Sequence, residues 1–330
     1  MRHGQKRIIT ALTGTCAMFT VALVPMSPSS AAPDINDVKA RVERLQTQAE
    51  QASERYNDAR ILRDRLEQDL ADVKAEETTQ RAVVSGIESA VDEAITAQYE
   101  GHALSATGEM VATQDPGAFL TQLTTLHAYN DVQSETLASY DTARQALDIR
   151  HDAVGERTAE LKAVAKRLAK EKTEVEAKTA AAQKILDGLE QDEMDRYLAS
   201  LDSGTVTDIP KVAASGRAAA AVRFALAQLG DPYVWGAAGP GSWDCSGLTM
   251  GAWGAAGVGL PHSSSMQSGS GTRVSISQLQ PGDLVFYYSP ISHVAMYIGG
   301  GKIVHAPHSG SVVQIADMNA MPITTAVRPG

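Results

Sequence analysis

Trp243-Asp244-Cys245-Ser246-Gly247-Leu248 is the stretch on which the reading of the C-terminal third turns. A glycine-rich segment opening with Tyr233-Val234-Trp235-Gly236 leads into it. Asp244 has the side chain of a helix N-cap, which places Cys245 in the first turn of a helix ending near Ala256. The unpaired N–H groups and the positive dipole end at that position favour thiolate over thiol, and they can hold the oxyanion of a tetrahedral intermediate. Upstream, residues 218–229 read as a helix closed by Gly230.

Downstream, Leu279-Gln280-Pro281-Gly282-Asp283 is a turn entering a strand over 284–288. A second strand over 293–298 and a third over 302–306 flank Gly299-Gly300-Gly301, which reads as a three-residue hairpin loop. In that register Ile298 faces Lys302 and His305 faces Ala295, so His293 and His305 are diagonal neighbours on one face. A slip of one residue would put them on opposite faces. A thiol at a helix N-terminus, a histidine base and a second group orienting that histidine make a nucleophilic triad of Cys245, His293 and His305. Each also has a plainer use, as core packing or a satisfied strand position. Zinc is a competing use of the three, but no short paired-ligand spacing accompanies them, so neither metal nor cofactor is expected.

Outward from this region the composition changes abruptly. Residues 217–330 carry a net charge of +1, residues 33–216 carry −14 and residues 1–32 carry +3. The overall −10 argues against nucleic acid as a partner, because duplex binding needs clustered Lys and Arg. Residues 201–216 have the composition of a linker, with Ser203, Gly204, Pro210, Ser215 and Gly216.

Residues 33–200 read as a helical coiled-coil hairpin. From 34 to 99 there is no proline, and Val38, Val42, Leu45, Ala49, Ala52, Tyr56 and Ala59 alternate by four and three. The pattern resumes out of step at Leu62, Leu66, Leu70 and Val73, a coiled-coil stutter. In the second run Tyr140, Leu147, Val154, Leu161, Leu168, Val175, Ala182 and Leu189 recur every seven residues. Two such runs of about 65 residues would each be roughly 100 Å long. Charge runs such as Glu171-Lys172-Thr173-Glu174 read as solvated helix faces. The tip, 101–130, begins as a loop, with Asp115-Pro116 opening a helix. Phe119, Leu120, Leu123 and Leu126 then form an apolar stripe that either packs back on the shaft or docks a partner.

Residues 1–32 have the three parts of a secretory signal peptide: Arg2, Lys6 and Arg7, an uncharged run over 8–24, and a small-residue end at Ala31-Ala32. The 17-residue run holds four threonines and is short for a membrane anchor. Cleavage near Ala31 would discard Cys16 and leave Cys245 as the exported chain's sole cysteine, which an oxidising compartment cannot pair internally. A secreted or cell-wall-associated protein is therefore expected.

Residues 217–330 resemble the NlpC/P60 family of cysteine peptidases. The likeness rests on Tyr233-Val234-Trp235-Gly236-Ala237, Asp244-Cys245-Ser246-Gly247-Leu248, Gly282-Asp283-Leu284-Val285-Phe286, His293-Val294-Ala295-Met296-Tyr297-Ile298-Gly299 and Val304-His305-Ala306-Pro307. The resemblance implies an α+β, papain-like catalytic domain behind a long α-helical hairpin. It implies Cys245 as nucleophile, His293 as general base and His305 as the orienting third residue, with Tyr233 and Ser246 lining the groove and Asp244 beside it. The implied reaction is hydrolysis of the γ-D-glutamyl–diamino acid bond in peptidoglycan stem peptides. Where many relatives carry an arginine this chain has Leu260-Pro261-His262-Ser263, and His262 would reach a substrate carboxylate only when charged. Ala295 stands where glycine is common. The whole arrangement is similar to secreted members whose coiled coil engages the extracellular part of an FtsEX-type transporter or covers the active site, and the stripe of Phe119, Leu120, Leu123 and Leu126 lies where such a contact is expected. The rival reading is a non-catalytic wall-binding or partner-recruiting protein whose coiled coil is the working part.

Overall fold

The computed structural model describes residues 34–99, 116–201 and 214–330. The two heptad-patterned runs form α1, Ile35–Tyr99, and α2, Pro116–Asp187, lying antiparallel. Ala59 and Leu66 of α1 meet Leu161, Val164 and Leu168 of α2, so the narrow apolar seam is the surface that joins them. Farther out, Gln80 Nε2 donates to the Ala143 carbonyl at 2.9 Å. Pro116 opens α2 where its missing N–H does no harm. Leu120 and Leu123 are exposed, whereas the side chains of Phe119 and Leu126 lie outside the described residues, as do the expected signal peptide and most of the linker.

Two expectations for the hairpin need correction. The seven-residue repeat carries the second helix through Leu189, but α2 stops at Asp187 and a separate α3, Gln191–Leu201, follows. Leu189 still packs with Val38, Val42, Ala182 and Tyr197 in the same small core, which is why it keeps the period after the helix has ended. Glu193 caps the new helix by accepting from the Glu190 N–H at 3.0 Å. Second, Glu171 is buried rather than solvated, and its carboxylate accepts from Arg55 Nε at 2.8 Å across the hairpin.

The C-terminal region adds α4, Gly216–Ala227, α5, Cys245–Ala255, and α6, Ser264–Gln267, ahead of the sheet. The strands are β1 (Thr272–Arg273), β2 (Leu284–Tyr287), β3 (His293–Gly299), β4 (Lys302–His305), β5 (Gln314–Asp317) and β6 (Ile323–Arg328). They form one antiparallel sheet in the order β1-β6-β2-β3-β4-β5. Alternation sorts the side chains: Leu284, Phe286, Val294, Met296, Ile298 and Val304 face α4 and α5. Val285, Tyr287, Ala295, Ile303 and Ala326 face the other way, into a second small core. Every member of both cores belongs to residues 218–327, so this α+β unit has its own interior.

The hairpin loop between β3 and β4 also differs from the expectation. Lys302 pairs with Gly299, not Ile298, which leaves Gly300 and Gly301 as a two-residue turn with φ of 61° and 72°. A bulge between Tyr297 and Gly299 absorbs the shift, and Met296 pairs with Val304 as the longer loop would have required. The face shared by His293 and His305 is therefore preserved.

Candidate active site

Asp244 caps α5, its carboxylate accepting from the Gly247 N–H at 2.6 Å. Gly247 is demanded by space: a Cβ there would lie 2.2 Å from the Ala237 carbonyl oxygen. Cys245 thus sits in the first turn of α5, and β3 runs beside it. His293 Nε2 lies 2.9 Å from His305 Nδ1, with the rings edge-on at a centroid distance of 5.1 Å. Donor atoms of Cys245, His293 and Glu50 all lie within 4.8 Å of one another. The three residues proposed as a triad are brought together.

The fourth component of this cluster comes from the other end of the chain. One face of α1 crosses the site, and its polar side chains enter it. Glu50 bonds to His293 Nδ1 through Oε1. Glu54 accepts from Ser246 Oγ at 2.8 Å and from the N–H and hydroxyl of Ser264, and its Oε1 stands 3.6 Å from Cys245 Sγ. Asn57 donates to Asp244 Oδ2 at 3.1 Å. Asp58 takes the Ser263 hydroxyl at 2.5 Å, Arg60 meets His262 Nδ1, and Tyr56 packs edge-on against Trp235. Glu50, Glu54 and Asn57 follow the i, i+4, i+7 spacing of one helical face. That spacing was available in the sequence, but on a helix rich in Glu and Arg it is indistinguishable from a solvated face, so nothing local marks these residues.

The other expected site residues are all in this neighbourhood. Ser246 and Asp244 are fully buried, and Tyr233 is buried beside a cavity of about 330 Å³ where the helices meet the sheet domain, lined also by Trp235, Ala49 and Tyr197. His262 Nε2 lies 2.7 and 2.8 Å from the two Asp244 oxygens, so in this arrangement its ring is held between Asp244 and Arg60.

The electrostatics differ from what the position of Cys245 on α5 suggests. Only 1% of Cys245 is exposed, and its pKa is pushed well up, first by burial and then by the carboxyl groups of Glu54, Glu50 and Asp244. A hydrogen bond from the Val294 backbone opposes this without reversing it. The expected bias of the helix N-terminus toward thiolate is overridden here by burial and by these carboxyl groups. Glu54 is raised to about 7, by burial and by Asp244, against the lowering effect of its bonds to Ser264 and Ser246. Burial and the neighbouring His293 and His308 hold the His305 pKa well below the usual imidazole value. Glu50, Cys245 and His293 are the one ligand-like group among the described residues, and Glu50 bonds to His293.

The profile of the NlpC/P60 family matches residues 230–328. A probable endopeptidase of Corynebacterium glutamicum is 38% identical over 145 residues, which span 41% of this chain and 69% of that protein. The chain belongs to the NlpC/P60 family. A longer match covers the hairpin too: a probable endopeptidase of Mycobacterium tuberculosis is 27% identical over 366 residues, 95% of this chain and 94% of its own. Among solved structures, the NlpC/p60 domain of the peptidoglycan hydrolase SagA is 37% identical, with 33% of this chain and 97% of that chain covered at a TM-score of 0.32. All the matching blocks around Cys245, His293 and His305 fall inside the span of the NlpC/P60 profile.

Proposed function

We propose that this NlpC/P60 protein is an exported peptidoglycan D,L-endopeptidase of the cysteine type, held latent by its own α1. The observation that carries the reading is the apposition of Cys245, His293 and His305 beneath the carboxyl groups of Glu50 and Glu54. Membership of the family and relatives named as endopeptidases support the hydrolase class. The D,L preference rests on the sequence resemblance, and export rests on the pattern of residues 1–32. No helix of the described residues is long and apolar enough to cross a membrane.

In the proposed reaction the Cys245 thiolate attacks the carbonyl carbon of the γ-glutamyl amide, and N–H groups in the first turn of α5 stabilise the oxyanion. His293 passes a proton to the leaving amine, giving a thioester on Cys245. Water, deprotonated by His293, then attacks the thioester and regenerates the thiol. His305 orients the His293 ring throughout. None of this can begin with Glu54 seated 3.6 Å from Sγ, so α1 has to leave first. An activator acting on the hairpin tip, where Leu120 and Leu123 are exposed, is one route to release, and an FtsEX-type transporter is the class of partner the resemblance suggests.

Digestion of purified cell wall tests the reading, with soluble fragments analysed by mass spectrometry. Residues 214–330, which hold both cores, should release stem-peptide fragments cut between γ-D-glutamyl and the diamino acid, and the full chain should be at least about tenfold slower. Full activity in Cys245→Ala would refute the mechanism, and equal rates for the two chains would refute the latency.

A further inference from the structure

Both ring nitrogens of His293 are engaged, and the partners dictate where the protons sit. Nε2 lies 2.9 Å from His305 Nδ1, and Nδ1 bonds to Glu50 Oε1 from α1. A carboxylate only accepts hydrogen bonds, so Nδ1 of His293 carries a proton directed at Glu50. In a neutral ring Nε2 is then the acceptor, and His305 donates to it from its own Nδ1. The remaining nitrogen, His305 Nε2, is buried and has no partner among the described residues. As a bare lone pair it is tolerable; as an orphaned buried N–H it would be expensive. The reverse assignment, with the His293 proton on Nε2, creates that orphan donor and points the Nδ1 lone pair at a carboxyl oxygen.

We propose that Glu50 is an inhibitory residue that acts on the base itself: by accepting from Nδ1 it fixes His293 in the tautomer that offers no lone pair to Cys245. The inference rests on the reading of Cys245 and His293 as nucleophile and base. Nδ1 is the nitrogen available to Cys245, because Nε2 belongs to His305. The docked helix therefore silences the site chemically as well as covering it, and the labour is divided along one turn of α1. Glu54 fastens the helix to Ser246 and Ser264, while Glu50 occupies the base. Withdrawal of Glu50 removes the acceptor that holds the proton on Nδ1, so the His293 ring is no longer confined to that tautomer.

Long-range 1H–15N correlation spectra of the full chain, labelled with 15N-histidine, read the proton on each ring nitrogen. The two rings are assigned from the signals lost in His293→Asn and His305→Asn. At neutral pH His293 and His305 should both be Nδ1–H. Glu50→Gln keeps an acceptor oxygen and should preserve that pattern, whereas Glu50→Leu keeps bulk and helix preference without an acceptor and should move His293 to Nε2–H. A wild-type spectrum with the His293 proton on Nε2, or on both nitrogens, overturns the proposal, and so does a helical Glu50→Leu variant that stays Nδ1–H. If Glu50→Leu does not fold, the wild-type spectrum still decides. Hydrolysis independent of Cys245 would refute the catalytic reading and leave the tautomer result intact, so the two failures are separable.

Discussion

Two stretches of α1 treat burial in opposite ways. Between residues 50 and 57 the helix buries Glu50, Ser53, Glu54 and Asn57, while between 83 and 95 it exposes Val83 and Ile95. The helix is continuous and its composition similar, so the difference lies in what faces it. Among the described residues the distal stretch meets α2 along a narrow seam, and Val83 and Ile95 lie off it, exposed. The proximal stretch meets a domain whose concave face offers hydroxyls, an N–H, imidazoles and a thiol, and carboxyl groups are the side chains that satisfy them. Burial of a helix face here reports the chemistry of the partner and not the hydrophobicity of the face. A buried cluster of Glu50, Glu54 and Asp244, with Ser53 Oγ and Asn57 Oδ1 lacking partners among the described residues, is also an imperfect interface.

The largest effect expected from breaking the contrast is on the proximal side. In the isolated domain Cys245→Ala should reduce wall hydrolysis to background, a complete loss measured by fragment release. In the full chain Glu54→Ala leaves the Ser264 N–H and Ser246 hydroxyl without their acceptor, a loss of about 2 kcal/mol, or roughly 30-fold in the docking equilibrium. Limited proteolysis of α1 should accelerate accordingly, and hydrolysis by the full chain should rise toward that of the isolated domain.

A pH dependence also follows from Glu54. Its pKa is about 7 when docked against 4.5 when hydrated, so docking takes up a proton. The contribution to docking is complete below the hydrated value and is lost as pH rises through the docked one, falling about tenfold per pH unit across that window. The ratio of full-chain to isolated-domain activity should therefore climb from pH 5 to about pH 7 and then level off, and Glu54→Gln should flatten the climb. The smallest effect belongs to the distal stretch: Ile95→Ser, at a side chain 58% exposed, should change thermal stability and latency by no more than about 0.5 kcal/mol.

The parts of this architecture that depend on local signals could be read from the chain. Asp244 before Cys245 has the side chain of an N-cap, and the structure forms that cap. The pairing of His293 with His305 was legible from strand alternation, although the turn that produces it was not: the two-residue turn and the bulge compensate each other. The heptads marked the hairpin and its seam but ran past the real end of α2, because Leu189 keeps packing after the helix breaks. Glu50 and Glu54 were invisible for a different reason. They lie 243 and 192 residues from His293 and Ser246, and their spacing has no feature that a solvated face lacks. The same distance explains why a cysteine at a helix N-terminus, which locally favours thiolate, has its pKa raised: besides burial, two of the carboxyl groups that raise it, Glu54 and Glu50, come from α1.

The most direct test of the central claim, that α1 covers and silences the site, is the rate at which Cys245 is alkylated by iodoacetamide at neutral pH, read by peptide mapping. Modification should be slow in the full chain, where the thiol is 1% exposed beneath Glu54, and rapid in residues 214–330. Equal rates in the two chains would contradict it.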